Sequence, residues 1–192
     1  MKHVRFIGLG GVAVALAVAC LAPTASAADD KPRGDFDKGT WTFQSYGGYY
    51  NELGPYDVEW GFASVGYSYY FVDGMSLGAE VSGYGISQPD NNAAAASFGA
   101  VFRHHLYDTG NSSFFVDVAA ALFDATDDTP ANGTQWNYVT QAGIGLTQKL
   151  DPRSHLLAGV RFTHLSNADL EGDDHNPALN GVSVYVGLMF RL

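Results

Sequence analysis

A histidine and a serine two positions apart, His164 and Ser166, are the residues of this chain best suited to chemistry. They end a segment, 154–166, whose alternation of apolar and polar residues predicts a β-strand. Residues two apart in a strand share a face, with Cα atoms roughly 6.5 to 7 Å apart, so the imidazole can reach the hydroxyl. A serine activated by a neighbouring base is a nucleophile for acyl transfer. The spacing fits a polar pair at a strand rim equally well, so both interpretations stay open here.

The face that carries this pair is otherwise apolar. The remaining positions on it are Leu156, Ala158, Val160 and Phe162. In a membrane barrel such a face meets lipid. A polar pair on a lipid face has a cost that structure alone does not explain, which favours a functional role for it.

Charged residues on the other face of the strand-like segments form a second candidate group. On the predicted inner faces these are Glu80, Arg103, Asp117, Arg161 and Arg191. A narrow barrel has no room for water to solvate isolated charges, so acids and bases inside it should pair across strands. We therefore predict a structural network in the lumen and not a catalytic pair of carboxylates.

The sequence shows no pattern typical of a metal or cofactor site. His104 and His105 are adjacent, so in a strand their rings point to opposite faces. Metal-ligand spacings, a phosphate-binding glycine loop and a GxSxG elbow do not occur. We expect no metal and no cofactor.

Eight segments have strand character and are spread almost to the last residue. They are 41–50, 59–71, 76–86, 94–107, 113–123, 138–150, 154–166 and 182–192. Most are as long as a tilted bilayer-spanning strand, about 9 to 11 residues or more. In the last segment every even position from Val182 to Leu192 is apolar, which suits contact with lipid.

The connections between these segments alternate in length. Tight turns at 73–74, 108–111 and 151–153 alternate with longer polar stretches at 51–58, 87–93, 124–137 and 167–181. Short turns on the periplasmic side and long loops outside are typical of outer-membrane barrels. The sequence therefore predicts an all-β fold, an eight-stranded antiparallel transmembrane β-barrel of the outer membrane over residues 39–192, in preference to a soluble sandwich.

The N-terminal residues have the features of a secretory leader. Two cations precede an apolar run, and Ala25-Ser26-Ala27 offers small residues for cleavage, so residues 1–27 are predicted to be a signal peptide. Residues 28–38 are predicted to be a polar lead-in. Cys20, the single cysteine, falls within the leader, and its lipidation is the less favoured alternative. A formal charge of −10 argues against nucleic acid as a partner.

The run His164-Leu165-Ser166-Asn167-Ala168, followed by Asn176-Pro177 and an alternating final strand, resembles the PagL family of lipid A 3-O-deacylases. The resemblance is specific from about Gly159 to the end and covers the rest loosely, as a barrel. It implies hydrolysis of the ester-linked acyl chain at the 3-position of lipid A, without a cofactor. The implied partner is the lipid A part of lipopolysaccharide in the outer leaflet.

The resemblance also implies roles for individual residues. Ser166 would be the nucleophile, His164 its general base, and Asn167 would help to stabilise the oxyanion together with a backbone amide near Asp169, where the family commonly has glycine. The family's acid would fall near Asn180, which is not a carboxylate. Three nearby acids could orient the imidazole in its place: Glu171, Asp173 and Asp174.

Two other functions compete with the esterase. A non-enzymatic small outer-membrane barrel, structural or adhesin-like, explains the fold equally well but gives His164 and Ser166 no purpose. A transporting pore is the weakest hypothesis, because side chains fill the lumen of a barrel of about eight strands. The sequence predicts no particular oligomeric state.

Overall fold

The computed structural model describes residues 34–170, 172 and 176–192, and eight long strands account for most of them. The predicted signal peptide, residues 28–33 of the predicted lead-in, and Glu171, Asp173 and Asp174 lie outside the described residues. The strands are β1 (Trp41–Glu52), β2 (Glu59–Val72), β3 (Met75–Ser87), β4 (Ala93–Asp108), β5 (Ser112–Thr129), β6 (Thr134–Lys149), β7 (Ser154–Ser166) and β8 (Leu179–Arg191). Within the described part of the chain, no helix has both the length and the hydropathy of a membrane-spanning helix.

Each strand pairs with its neighbour in the chain, and β1 pairs with β8, so the sheet closes on itself. All pairings are antiparallel. The predicted all-β, eight-stranded antiparallel barrel is therefore confirmed. Closure leaves no strand edge unpaired, which a bilayer requires because lipid cannot satisfy backbone amides and carbonyls.

The two faces of each strand differ in the way that the alternation predicts. In β7, Arg161, Thr163 and Leu165 are buried, whereas Val160 and Phe162 on the other face are exposed. A strand's side-chain period of two forces this separation. Odd positions of β7 thus fill the lumen, and even positions point away from the barrel.

The connection between β5 and β6 corrects one prediction. The sequence predicts a polar loop over 124–137, but β5 continues to Thr129 and β6 begins at Thr134, so the two strands extend the hairpin and leave a short turn. Side chains of the neighbouring loop support the extension, since Gln88 donates to the carbonyl of Asp128 at 2.9 Å and Asn91 donates to the carboxylate of Asp127. A strand outside the bilayer needs no apolar face, so polarity was a misleading signal here.

Four of the five predicted inner charges form one network in the lumen. Arg161 donates to both carboxylate oxygens of Asp117, at 3.1 and 2.9 Å, and Arg103 reaches the same carboxylate at 3.1 Å. Glu80 lies 3.7 Å from Arg161. All four side chains are at most 10% exposed. Two guanidinium groups balance two carboxylates, which offsets the cost of burying each charge.

The fifth predicted inner charge, Arg191, forms an ion pair with the lead-in. It lies at the periplasmic end of β8 and donates to Asp35 of the lead-in at 3.3 Å. Asp35 also binds Lys149 at 2.6 Å and lies 3.3 Å from Nε2 of His155. A carboxylate of the lead-in therefore joins Lys149 of β6, His155 of β7 and Arg191 of β8.

Phe36, next to Asp35, covers the periplasmic end of the lumen. Its ring is 5% exposed and stacks on His105, with ring centroids 3.8 Å apart, and it also packs against Tyr70 and Met189. The carbonyl of Phe36 accepts a hydrogen bond from the amide of Gly74 at 2.8 Å. The described part of the lead-in is thus an ordered plug, which its polar sequence did not predict.

Candidate active site

The candidate site lies at the outer end of β7, where the strand is flanked by β6 and β8. His164 is paired with Thr140 on β6 and with Asn180 on β8, and Ser166 is paired with Tyr138 on β6. Both His164 and Ser166 are half-buried. They share the outward face of β7 with Phe162, so the structure brings the predicted nucleophile and base to one face, and that face is the predicted lipid face.

The imidazole of His164 has a defined partner. Its Nδ1 lies 2.9 Å from Oδ1 of Asn180. An amide oxygen can only accept a hydrogen bond, so Nδ1 is the donor in this contact, and in the neutral ring the lone pair is then on Nε2. Asn180 is thus in contact with the ring, whereas the three acids named as alternatives lie outside the described residues. The neutral tautomer held in this way is the one a general base requires.

The chain turns sharply after Ser166. Ala168 and Asp169 both have positive φ, 54° and 60°, which non-glycine residues adopt at a cost of about 1 to 3 kcal/mol each. The turn directs the amide of Ala168 at the hydroxyl of Ser166, with a nitrogen-to-oxygen distance of 3.0 Å. A glycine at position 169 would adopt this backbone without strain, which is a physical reason for the residue that the family commonly has there.

Side chains around the turn hold its strained backbone. Oδ1 of Asn167 accepts from the amide of Asp169 at 2.9 Å, and Oδ1 of Asn176 accepts from the amide of Asn167 at 3.0 Å. The carboxylate of Asp169 accepts from Nδ2 of Asn176 at 2.5 Å. These bonds tie the end of β7 to the residues that precede β8.

The side chain of Asn167 lies on the other face from Ser166. It is 2% exposed, and its Nδ2 donates to Oγ1 of Thr134 at 3.3 Å. The structure therefore brings His164, Ser166 and Asn180 together and places Asn167 beneath them. The sequence did not indicate the amide of Ala168 or the support from Thr134, because both depend on the exact path of the turn.

Large apolar side chains surround the pair on the outside of the barrel. Trp136 and Tyr138 on β6 and Phe162 on β7 are exposed. Aromatic side chains at the ends of membrane-spanning strands lie at the level of the lipid headgroups. A molecule in the outer leaflet can therefore reach the hydroxyl of Ser166 without entering the lumen.

The arrangement is suited to acyl transfer. Among residues 34–170, 172 and 176–192, no group of three or more His, Cys, Asp or Glu side chains is placed to hold a metal ion. What the site offers is a hydroxyl, an imidazole oriented by an amide, and a backbone amide beside the hydroxyl. These are the parts of a nucleophile, a general base and an oxyanion donor.

Solved structures show the same fold at low sequence identity. The Neisserial surface protein A (NspA) is 14% identical, with a TM-score of 0.58, and 81% of this chain and 97% of that one are covered. The outer membrane protein OprG of Pseudomonas aeruginosa is 9% identical, with a TM-score of 0.56, and 81% of this chain and 97% of that one are covered. The outer membrane enzyme PagL is 16% identical, with a TM-score of 0.50, and 79% of this chain and 98% of that one are covered. At these identities the likeness concerns the fold alone.

Family comparison is more specific. No curated protein sequence matches the chain significantly. The family model described as lipid A 3-O-deacylase (PagL) matches residues 41–189, which extend from the first residue of β1 to nearly the last of β8 and include His164 and Ser166. The resemblance seen in the motif around Ser166 is thus confirmed over the whole barrel: the chain belongs to the lipid A 3-O-deacylase (PagL) family.

Proposed function

We propose that this outer-membrane protein is an esterase that hydrolyses the ester-linked acyl chain at the 3-position of lipid A, with Ser166 as nucleophile and His164 as general base. The observation that carries the proposal is the Asn180–His164 hydrogen bond on the outward face of β7, where Ser166 also lies. A purely structural barrel has no need of an oriented imidazole beside a hydroxyl at the level of the outer leaflet. Family membership supports the same substrate class.

In the first half of the reaction, Nε2 of His164 takes the proton from Ser166 as Oγ attacks the acyl carbonyl carbon. The carbonyl becomes an oxyanion, and the bond to the sugar oxygen then breaks. The imidazolium gives its proton to that oxygen, so the sugar leaves as an alcohol and the acyl group stays on Ser166. Asn180 holds the ring through Nδ1 while Nε2 exchanges the proton.

In the second half, water replaces the sugar. His164 takes a proton from the water as its oxygen attacks the acyl-serine, and the ester bond to Oγ breaks. The proton passes to Oγ, which restores Ser166 and releases the fatty acid. Both halves use one base in one position, and neither requires a cofactor.

The oxyanion needs a donor close to Ser166. The turn after β7 places the amide of Ala168 3.0 Å from Oγ of Ser166. Asn167 supports it by holding the amide of Asp169 and by anchoring the turn to Thr134. We propose that Asn167 contributes to oxyanion stabilisation through this turn, since preorganised donors act because they need no rearrangement during the reaction.

Mass spectrometry of lipid A tests the proposal directly. Cells that express the protein should yield lipid A lacking one ester-linked chain, and fragmentation should locate the loss at the 3-position. Ser166→Ala should abolish this change. Ser87→Ala removes a hydroxyl from an exposed position at the outer end of β3 and should leave it intact. Unmodified lipid A from cells with the folded, unaltered protein, across varied lipid A structures, would favour a non-enzymatic barrel.

A further inference from the structure

The charges of the barrel are divided between its two ends. From residue 39 to the end of the chain, every lysine and arginine lies in the lumen or towards the periplasmic turns: Arg103, Lys149, Arg153, Arg161 and Arg191. The outer ends of the strands and the outer loops carry carboxylates instead, among them Glu59, Asp90, Asp124 and Asp169. The outward surface at the level of the site is therefore acidic.

One of these carboxylates lies on the same surface as the candidate site. Asp124 of β5 is exposed on the outward face, across from Trp136 of β6. Ser166 pairs with Tyr138 and Tyr138 with Leu122, so Asp124 is two strands away and two residues farther out. Strand spacing puts its Cα roughly 12 Å from that of Ser166. A headgroup whose acyl ester reaches Ser166 thus extends into the field of Asp124.

The side chains beside Ser166 are suited to the acyl chains and the sugar of the substrate, not to its phosphates. Trp136 and Tyr138 present exposed rings on β6, and Phe162 lies on the outward face of β7. Such rings pack against acyl chains and against the apolar faces of sugars. Arginine, the usual partner of phosphate, is absent from the outward surface of the described residues at this level.

We infer that this site selects lipid A through its acyl chain and sugar, and that it turns over forms with fewer phosphate groups faster. The inference rests on the proposed function and deepens it by naming the substrate class. Lipid A phosphates are anionic, and no cation on the outer surface of the described barrel offsets their repulsion by Asp124 and its neighbours. Each phosphate removed from the substrate therefore weakens this repulsion, and lowers the free energy of the bound substrate relative to the substrate free in the membrane.

The test compares three synthetic lipid A molecules that differ in carrying two, one or no phosphate groups. Initial rates of fatty acid release are measured by mass spectrometry in phosphatidylcholine vesicles, with a chelator and an ionic strength of about 10 mM, where charges interact over roughly 30 Å. We expect the rate to rise about threefold for each phosphate removed. At about 1 M salt the screening length falls to about 3 Å, and the three rates should converge.

Asp124→Asn should reduce the differences between the rates of the three substrates at low salt, because it removes the negative charge that β5 presents near Ser166. Asp73→Asn is the matched control: it makes the same change in the turn between β2 and β3, at the opposite end, and keeps the oxygen that accepts from the amide of Lys38. It should leave the spread unchanged.

Equal rates for the three substrates at low salt, a preference for the doubly phosphorylated form, or a spread that persists at high salt would each overturn the inference. The esterase proposal would survive these results, because all three substrates would still be deacylated in a Ser166-dependent way. Failure to deacylate any of them would overturn both proposals together.

Discussion

The two faces of β7 use polar side chains in different ways. On the inner face, Arg161 is fully buried and is bound by Asp117, and Thr163 exchanges a hydrogen bond with Ser183. On the outer face, His164 and Ser166 are half-buried and are positioned by one amide each. Polar groups that complete their bonding inside the barrel hold strands together. Polar groups that are oriented but accessible are the ones available for chemistry.

The largest expected effect comes from the outer face. Ser166→Ala and His164→Ala should each lower kcat for lipid A deacylation by about 10⁴-fold or more, because neither the nucleophile nor its base has a substitute. The double variant should be scarcely worse than either single one, since the two act as a unit. Heat-modifiable migration in detergent gels should show that all three variants remain folded barrels. An active Ser166→Ala variant would contradict the mechanism.

A substitution on the inner face of β7 should instead lower the stability of the barrel. Arg161→Ala leaves the carboxylates of Asp117 and Glu80 short of a cation, and breaking a buried ion pair costs about 3 to 5 kcal/mol of the free energy of unfolding. Denaturant titration of the barrel refolded in vesicles measures this loss. Arg153→Ala, in the exposed turn between β6 and β7, is the control and should change stability by no more than about 0.5 kcal/mol.

A charge on the outer face tests whether that face meets lipid. Val160→Arg should destabilise the barrel by about 2 to 4 kcal/mol if Val160 lies near the bilayer midplane. Leu53→Arg, in the exposed loop between β1 and β2, should have little effect in the same titration. Gly159→Ala acts inward, because a Cβ there would lie 2.4 Å from the hydroxyl of Tyr185. Full stability of Val160→Arg would mean that this face is not in lipid.

The smallest effect concerns the residue that joins the outer face of β7 to β8. Asn180→Ala removes one hydrogen bond from His164, worth about 1 kcal/mol, and should lower kcat by up to about tenfold without changing stability. Asn180→Asp should maintain or raise kcat, because a carboxylate also orients the ring and stabilises the imidazolium better. Equal kcat for the unaltered protein, Asn180→Ala and Asn180→Asp would show that Asn180 does not act on His164.

Sequence reasoning predicted what depends on periodicity. Alternation placed His164 and Ser166 on one face of β7 and Arg161 on the other, and the apolar residues beside His164 identified its face as the lipid face. It failed where a contact joins distant segments of polar sequence. The lead-in contacts five strands, β2, β4, β6, β7 and β8, through Asp35 and Phe36. The extended β5–β6 hairpin is held by Gln88 and Asn91.

The candidate active site was also only partly predictable from the sequence. The contact between His164 and Asn180 depends on the register of β7 against β8, and the residues between these strands do not reveal that register. The family resemblance pointed to the position, but the sequence left three acids as alternatives. The inward direction of Asn167 follows from the same alternation, although the turn that it holds does not.

The plug formed by Phe36 has a consequence for where reaction products go. Over the described residues, the ion network lies in the lumen and Phe36 covers its periplasmic end, as expected for a barrel of eight strands, whose lumen side chains fill. If lipid A is cleaved at Ser166, the fatty acid would be released sideways, into the same leaflet that holds the lipid A. The enzyme would then divide one wide lipid into two narrower ones in place, and would alter the lateral packing of that monolayer without moving any material across it.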